Sequence, residues 1–181
     1  MSLIVYLFPL DMNRMKKVAV LVVAFSLLLI QGCGVYSFTG GSTGDAKTIQ
    51  IDYFPNNAPL VEPVVSQKFT TDLQDLFLRQ TNLELTRAGG DLHFEGEITD
   101  YRIIPISATA DQTAAQNRLN MSVRVRFFNR LVPEDDFDQT FSFFADFDAN
   151  AQLAGPVLED ALDVIFERIT QDIFNASVAK W

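Results

Sequence analysis

The chain has one cysteine, one histidine and fewer basic than acidic residues, 14 against 23, among its 181 residues. A single cysteine excludes an intramolecular disulfide. A single histidine removes most metal sites and the common Cys–His and Ser–His–Asp catalytic arrangements from consideration. The formal net charge of −9 disfavours unspecific binding to nucleic acid or to an anionic membrane surface. We therefore predict no metal, no cofactor and no nucleic-acid partner.

No run of apolar residues reaches the roughly 18 to 20 that a bilayer span requires. The longest stretch, residues 18–30, has 13 residues and is interrupted only by Ser26. Three positive residues lie within residues 14–17, shortly before it. A positive segment followed by a short apolar stretch is typical of a secretory signal peptide rather than of a transmembrane helix.

The residues that end the apolar stretch, Ile30-Gln31-Gly32-Cys33, follow the order aliphatic residue, spacer, small residue, cysteine. Lipoprotein-processing enzymes read this pattern. We predict that residues 1–32 are an export signal and that the thiol of Cys33 carries a diacylglycerol, with the freed amine acylated as well. Two or three acyl chains, at about 0.8 kcal/mol per buried methylene, make a stable membrane anchor. The alternative is a signal peptide followed by an incidental buried cysteine.

The mature chain would therefore begin at Cys33, with a net charge of −11, because residues 1–32 contain one acidic and three basic residues. The start of translation is left open, since a start at Met12 or Met15 would give a more ordinary signal than one that includes residues 1–11. No aspartate follows Cys33 directly. In bacteria with two membranes this favours release to the outer membrane, on its periplasmic side.

The mature chain divides into a tether and one domain. Residues 33–46 are the lipidated cysteine and its tether, because the segment GGSTGD at residues 40–45 is rich in glycine and serine. Residues 47–181 form a single domain. Almost half of the chain, 48%, is apolar and it includes 16 phenylalanines, which is enough material for a core.

Alternating apolar and polar residues predict four strands in this domain. They cover residues 48–54, 91–104, 118–130 and 137–147, and residues 83–86 begin the second strand region before Gly89-Gly90 interrupts it. The alternation in the second strand assigns a set of residues to the polar face of the sheet: His93, Glu95, Glu97, Thr99 and Tyr101.

Two amphipathic helices complete the domain. The first begins at Pro63 and ends near Asn82, and the second is opened by Gly155-Pro156 and ends near Trp181. The order is therefore β-α-β-β-β-α. Because the sheet has one apolar and one polar face, we predict an α+β fold: a two-layer sandwich in which a four-stranded mixed sheet carries both helices on one face.

Several segments of the mature chain share a resemblance with one family. They are Gly34-Val35-Tyr36-Ser37-Phe38, IDYFPNNAPLV (51–61), FLRQTNLEL (77–85), DLHFEGEITDY (91–101), RLNMSVRVRFFN (118–129), FSFFADFD (141–148) and DIFNASVAKW (172–181). Together they resemble the LptE family of lipopolysaccharide-assembly lipoproteins, in the form found in Bacteroidetes-type bacteria. The resemblance covers essentially the whole mature chain, and its motifs are structural rather than catalytic.

This resemblance implies a location and a partner. Such proteins sit at the periplasmic leaflet of the outer membrane and form a tight complex with the β-barrel translocon LptD. They plug its lumen, help it to assemble and take part in delivering lipopolysaccharide to the cell surface. Basic residues of other members are linked to lipopolysaccharide binding, but those positions do not match this sequence residue by residue.

One basic stripe is a candidate contact for lipopolysaccharide. Arg118, Arg124, Arg126 and Arg130 are all even-numbered residues of one predicted strand, so their side chains share the polar face. Guanidinium groups suit the phosphates of lipid A. The alternative is a face that neutralises itself through cross-strand pairs worth roughly 0.2–1 kcal/mol each.

The predicted strand pairing favours the second interpretation. A hairpin centred near residues 110–111 sets Glu97 opposite Arg124 and Glu95 opposite Arg126, and the next hairpin sets Arg130 opposite Asp138.

The remaining candidate residues point to a partner surface rather than to catalysis. Phe128 and Phe144 are aromatic residues on the polar face, where exposed rings often mark a contact with another protein, here the barrel. His93 is interpreted as a surface residue. The acidic run Glu134-Asp135-Asp136 lacks the ligand spacing of a calcium loop and is interpreted as a solvated turn. No nucleophile, catalytic carboxylate pair or phosphate loop emerges, so we predict a non-enzyme.

Two functions remain open from the sequence. The leading hypothesis is an outer-membrane lipoprotein that plugs and matures the lipopolysaccharide translocon. The alternative is a stand-alone lipoprotein that faces the periplasm and binds a lipid or glycan without a barrel partner.

Overall fold

The computed structural model describes residues 43–60, 62–106 and 115–179. The predicted signal peptide, Cys33 and most of the predicted tether lie outside these described residues. The elements follow in the order β1 (Thr48–Ile51), α1 (Pro63–Gln80), β2 (Glu84–Leu85), β3 (Leu92–Ile106), β4 (Gln116–Asn129), β5 (Phe137–Asp148) and α2 (Pro156–Ser177). A short 3-10 turn, Pro133–Asp135, precedes β5.

The five strands form one mixed sheet in the order β2-β1-β3-β4-β5. Strand β1 runs parallel to β2 and β3, whereas β3, β4 and β5 are joined as antiparallel neighbours. Both helices have their buried residues in the same core as the inner face of the sheet. The predicted α+β sandwich with a mixed sheet is therefore confirmed.

The prediction of four strands is wrong by one. Residues 84 and 85 form a separate strand that pairs with β1 on the side opposite β3. The glycine pair after it explains the separation. Gly89 has a φ of 73°, and a Cβ on Gly90 would lie 2.6 Å from the backbone nitrogen of Gln50. The chain turns tightly past β1 at these residues, so β2 and β3 reach opposite edges of β1.

Phenylalanine rings join the helices to the inner face of the sheet. Phe69 of α1 contacts Phe54 and also Phe166 of α2, with ring centroids 5.4 Å and 5.5 Å apart. A second group surrounds Phe77 of α1, whose ring lies 4.9 Å from Phe94 and 5.1 Å from Phe174. All of these side chains are fully buried. The apolar stripes predicted for both helices therefore face the sheet, as amphipathic periodicity requires.

One residue of β3 interrupts the predicted alternation. Ile98 pairs with Val123 and Asp100 pairs with Ser122, so Thr99 is an extra residue in the ladder. Such a bulge reverses the assignment of every later residue to a face. Tyr101, which the sequence predicts on the polar face, is only 1% exposed and lies in the core. Burial raises the pKa of Tyr101 to about 12, and the nearby charge of Glu62 adds to the effect.

The helix ends have clear local causes. The φ of proline suits a first helical turn, and α1 begins at Pro63. It ends at Gln80 and is capped by Thr81, whose backbone N–H and hydroxyl both donate to the carbonyl oxygen of Phe77, at 3.0 Å and 2.7 Å. Helix α2 follows Gly155, which has a φ of 54°, and stops at Ser177. Neither of these helices in the described residues is long and apolar enough to cross a membrane.

Candidate partner-binding surface

The outer face of the sheet carries three of the four predicted arginines, each bound to a carboxylate. Arg118 binds Asp146 through Nε and Nη2, at 2.7 Å and 2.9 Å. Arg124 binds Asp138 in the same bidentate way, at 2.8 Å and 2.6 Å. The Nε of Arg126 lies 2.7 Å from Glu95. These arginines form a ladder of ion pairs across β3, β4 and β5, which we call the charge ladder.

The strand register confirms two of the predicted cross-strand positions and corrects a third. Glu97 lies opposite Arg124 and Glu95 lies opposite Arg126, which confirms the predicted β3–β4 register. The prediction that Arg130 lies opposite Asp138 is wrong, because Asp138 lies opposite Arg126 and forms its ion pair with Arg124.

The turn between β4 and β5 is longer than the sequence suggested. Phe127 pairs with Phe137, so residues 128–136 lie beyond the last pair of this ladder. Asn129 organises the turn: its backbone N–H donates to Asp136, and its Oδ1 accepts from the N–H groups of Leu131 and Val132. Arg130 lies inside this turn and not in the charge ladder. Its backbone N–H donates to the carbonyl oxygen of Asp91.

At neutral pH the arginines of the charge ladder are neutralised by the carboxylates that they bind. Hydrogen bonds from Arg124 hold the pKa of Asp138 below its ordinary value, against a smaller effect of burial. Arg118 does the same to the pKa of Asp146. Both carboxylates are therefore ionised and already neutralise their arginines. A phosphate group that approached this face would have to displace a carboxylate from a bidentate pair.

The two predicted aromatic contacts lie far apart on this face. The guanidinium of Arg118 stands over the ring of Phe144, 3.6 Å from its centroid, and the ring is 40% exposed. Phe128 is 38% exposed and contacts the ring of His93, with centroids 5.8 Å apart. Phe144 lies opposite Asn120, eight residues along β4 from Phe128. At about 3.3 Å per residue, roughly 26 Å separates them, so they are two contact points and not one patch.

A polar cluster that the sequence did not reveal lies on the outer face near β1. The Nε2 of His93 lies 2.9 Å from Asp52 and 3.1 Å from the amide nitrogen of Gln50. Partial burial by itself would raise the pKa of Asp52. Hydrogen bonds from Gln50 and His93 nevertheless hold this pKa below its ordinary value. Asp52 could not be found from the sequence, because its position beside His93 depends on the parallel β1–β3 register.

This cluster is the one place among the described residues where three side chains could ligate a metal ion. Ligand atoms of Asp52, His93 and Glu95 lie within 4.8 Å of one another. The two carboxylates already have partners, however, because Glu95 forms an ion pair with Arg126 and Asp52 accepts a hydrogen bond from Gln50. A cation would have to break the charge ladder to bind there. We interpret the cluster as part of the hydrogen-bonded surface of the sheet.

These features define an α+β sandwich whose outer sheet face is extended and charge-paired, with isolated exposed rings. Such a face suits contact with another macromolecule more than chemistry on a small substrate. The chain belongs to the LptE family: the family model, described as lipopolysaccharide-assembly, matches residues 46–177. It is thus a lipopolysaccharide-assembly lipoprotein of the cell envelope.

Solved structures are similar to this chain at low sequence identity, and the first of those that follow shows the same fold. The hypothetical protein CT253 from Chlamydia trachomatis superposes with a TM-score of 0.51 at 10% identity, covering 75% of this chain and 99% of that protein. A minor lipoprotein from Acinetobacter baumannii has a TM-score of 0.45 at 12% identity, over 73% and 90% of the two chains. Lipoprotein B from Nitrosomonas europaea has a TM-score of 0.46 at 11% identity, over 80% and 91%. No curated protein matches the chain.

Proposed function

We propose that this protein is an outer-membrane lipoprotein that partners an LptD-type β-barrel. In this role it plugs the barrel, assists its assembly and helps to deliver lipopolysaccharide to the cell surface. The family match over residues 46–177, which includes nearly all of the described domain, is the observation that carries the proposal. The resemblance of the sequence to this family adds the barrel as the expected partner.

The attachment to the membrane is part of the same proposal. Residues 1–32 act as the export signal, Cys33 carries the acyl chains, and residues 33–46 are the tether to a domain at residues 47–181. The sequence Ile-Gln-Gly-Cys at residues 30–33 supports this assignment. Several acyl chains hold a protein on a bilayer where one alone would dissociate.

The outer sheet face is the surface that we assign to the barrel. Its arginines enter the contact already paired, so the interface need not desolvate an isolated charge. The exposed rings of Phe144 and Phe128 can supply the apolar anchors that dominate binding energy in many interfaces. The same pairing makes Arg118, Arg124 and Arg126 poor direct ligands for lipid A phosphates, and Arg130 is not aligned with them.

Co-purification from detergent-solubilised envelopes tests the barrel contact. The acylated protein should retain the barrel, and Phe144→Ala should reduce the recovered barrel by about tenfold, as expected for an interface anchor. The matched control is Val164→Ala, since Val164 is 51% exposed on α2, away from the sheet face. Recovery that is equal for both variants would contradict the assignment of this face.

Depletion of the protein separates the two functions. Under the proposal the barrel is left misassembled, whereas a stand-alone lipid- or glycan-binding lipoprotein would leave it intact. A mature protein that carries no acyl chain by mass spectrometry would contradict the anchoring at Cys33.

A further inference from the structure

The turn between β4 and β5 exposes large apolar side chains that the core does not need. Leu131 is 49% exposed and Val132 is 44% exposed. We call these two residues the apolar tip. The turn holds a defined shape, because Asn129 accepts the N–H groups of Leu131 and Val132, and the N–H of Asp135 donates to the carbonyl of Val132. An ordered turn that keeps apolar side chains in solvent marks a contact surface.

The apolar tip lies where the chain enters the domain. Leu131 and Val132 line a pocket of about 280 Å³ together with Thr43, Gly44 and Asp45. Thr43 follows Cys33 by only ten residues. Ten residues span at most about 36 Å, even when fully extended. Strand β4 has 14 residues, or about 46 Å, so the opposite end of the sheet lies beyond that reach.

We propose that the apolar tip is a membrane-contact site, at which Leu131 and Val132 enter the interface of a zwitterionic bilayer. The inference rests on the proposed acylation of Cys33, which brings this end of the domain to the membrane. Arg130 adjoins the two residues in the chain and can meet lipid phosphates, while Glu134, Asp135 and Asp136 follow after Pro133. That acidic run and the net charge of −11 of the mature chain exclude attraction to an anionic surface, so the contact depends on apolar insertion beside the anchor.

This contact would also orient the molecule. With the apolar tip at the bilayer, β3 and β4 run away from the membrane, and the end of β3 at Ile106 and the start of β4 at Gln116 lie at the distal end. Ile103 and Ile104 of β3 are 42% and 38% exposed near that end. The membrane contact and the distal surface are therefore separate regions of the same hairpin.

Tryptophan quenching in vesicles tests the site. The mature acylated chain is purified with Trp181→Phe and either Leu131→Trp or Val164→Trp, and is reconstituted in phosphatidylcholine vesicles that contain a brominated acyl chain. Val164 is the matched control, because it is as exposed as Leu131 but lies 13 residues, or about 20 Å, before the end of α2. We expect the Leu131→Trp emission to shift to the blue and to be quenched several-fold more than that of Val164→Trp.

Two outcomes would overturn the inference. Equal quenching of the two tryptophans would show that the apolar tip does not enter the bilayer. A blue shift of Leu131→Trp that needs the co-purified barrel and is absent in vesicles would assign the tip to a protein contact instead. Vesicle flotation of the same samples reports the anchor separately. Protein that floats without quenching contradicts only the tip, whereas protein that fails to float contradicts the proposed acylation.

Discussion

At the scale of single residues, hydrogen bonds of Asp91 connect the start of β1 to the start of β3. Its Oδ2 accepts hydrogen bonds from the backbone N–H groups of Lys47 and Thr48 and from the Thr48 hydroxyl, all between 2.9 Å and 3.0 Å. In return, the backbone N–H of Asp91 donates to the Thr48 hydroxyl. These bonds connect residues more than 40 positions apart, so one carboxylate fixes the entry of the chain into the sheet.

The pKa of Asp91 predicts how this contact depends on pH. The hydrogen bond from Lys47, followed by those from Thr48, holds the pKa of Asp91 below its ordinary value. A lowered folded-state pKa stabilises the protein above the unfolded-state pKa, near 3.9, and this stabilisation is lost as the pH falls through the folded-state value. Asp91→Asn should therefore lower the urea midpoint at pH 7, and the difference from wild type should shrink below about pH 4.

The control is Asp75→Asn, an exposed position on α1. This variant should match the wild-type urea midpoint at both pH values, within the scatter of about 0.5 kcal/mol usual for surface changes. A constant difference between Asp91→Asn and wild type across the pH range would contradict the role of the carboxylate.

Gly96 is the second residue whose identity the fold dictates. It pairs with Val125, and a Cβ at this position would overlap the backbone carbonyl oxygen of Arg124 and lie 2.6 Å from the buried ring of Phe54. Neither atom can move cheaply, because one belongs to the central ladder and the other to the core. We expect Gly96→Ala to lower the free energy of unfolding by about 3 kcal/mol. Thr140→Ala, on the exposed side of β5, should cost at most about 1 kcal/mol in the same denaturation experiment.

At the scale of elements, the β3–β4 hairpin sets the faces of the sheet, and the bulge at Thr99 adjusts them. Before the bulge, Ile98 is buried, and after it Tyr101 is buried again, although a regular strand would place these two residues on opposite faces. The bulge therefore extends the buried face of β3 as far as Tyr101.

Deleting Thr99 tests this interpretation directly. The deletion joins Ile98 to Asp100, which face inward and outward, so the alternation becomes regular and Tyr101 stays in the core. We expect cooperative thermal unfolding with a loss of about 1 kcal/mol, and an alkaline titration should still show one tyrosine with a pKa of about 12.

Deletion of Arg124 is the matched comparison on the neighbouring strand. Strand β4 pairs without interruption with β5, so this deletion would turn part of the buried face of β4 outward and prevent folding. If the Thr99 deletion unfolded the domain as completely as the Arg124 deletion, the interpretation of Thr99 as an extra residue that the ladder does not need would be wrong.

At the scale of the whole molecule, basic side chains of this acidic protein form ion pairs with its own carboxylates. There are 14 basic residues, and three of them lie in the charge ladder on one sheet face. Such cross-strand pairs stabilise the sheet modestly and leave the face nearly neutral. This arrangement favours a structural role of the face over recognition of a free anionic lipid.

Neutralising one rung of the charge ladder separates these roles. The double variant Arg124→Gln with Asp138→Asn removes both charges and leaves two polar side chains on the outer face. We expect lipopolysaccharide binding and barrel co-purification to remain within about twofold of wild type, because Asp138 already occupies the guanidinium of Arg124. The reference is Arg168→Gln with Asp172→Asn, which neutralises an exposed pair on α2. A loss of about tenfold, or 1.4 kcal/mol, confined to the ladder variant would assign Arg124 to the ligand.

The sequence by itself determined the buried faces of those helices and strands in which apolar residues recur at a regular spacing. In β4, Leu119, Met121 and Val123 alternate with polar residues and are fully buried. In α1, Phe69, Leu73 and Phe77 recur every four residues and are also fully buried, because the apolar side chains of an amphipathic element leave water on one side. The two-layer α+β arrangement follows from those faces, and the pairing of Glu97 with Arg124 follows from a hairpin between neighbouring strands.

The tertiary structure alone decided whatever depends on contacts between distant parts of the chain. Residues 84 and 85 become a strand only because β1 offers them a free edge, and Asp52 meets His93 only through the parallel β1–β3 register. Tyr101 faces inward because of the bulge at Thr99. Asp138 lies opposite Arg126 and not Arg130 because the turn between β4 and β5 is long. Both features shift a register without changing the composition of the strand. Periodicity reports which face of an element is apolar, whereas register is set by backbone geometry and by the neighbour across the ladder.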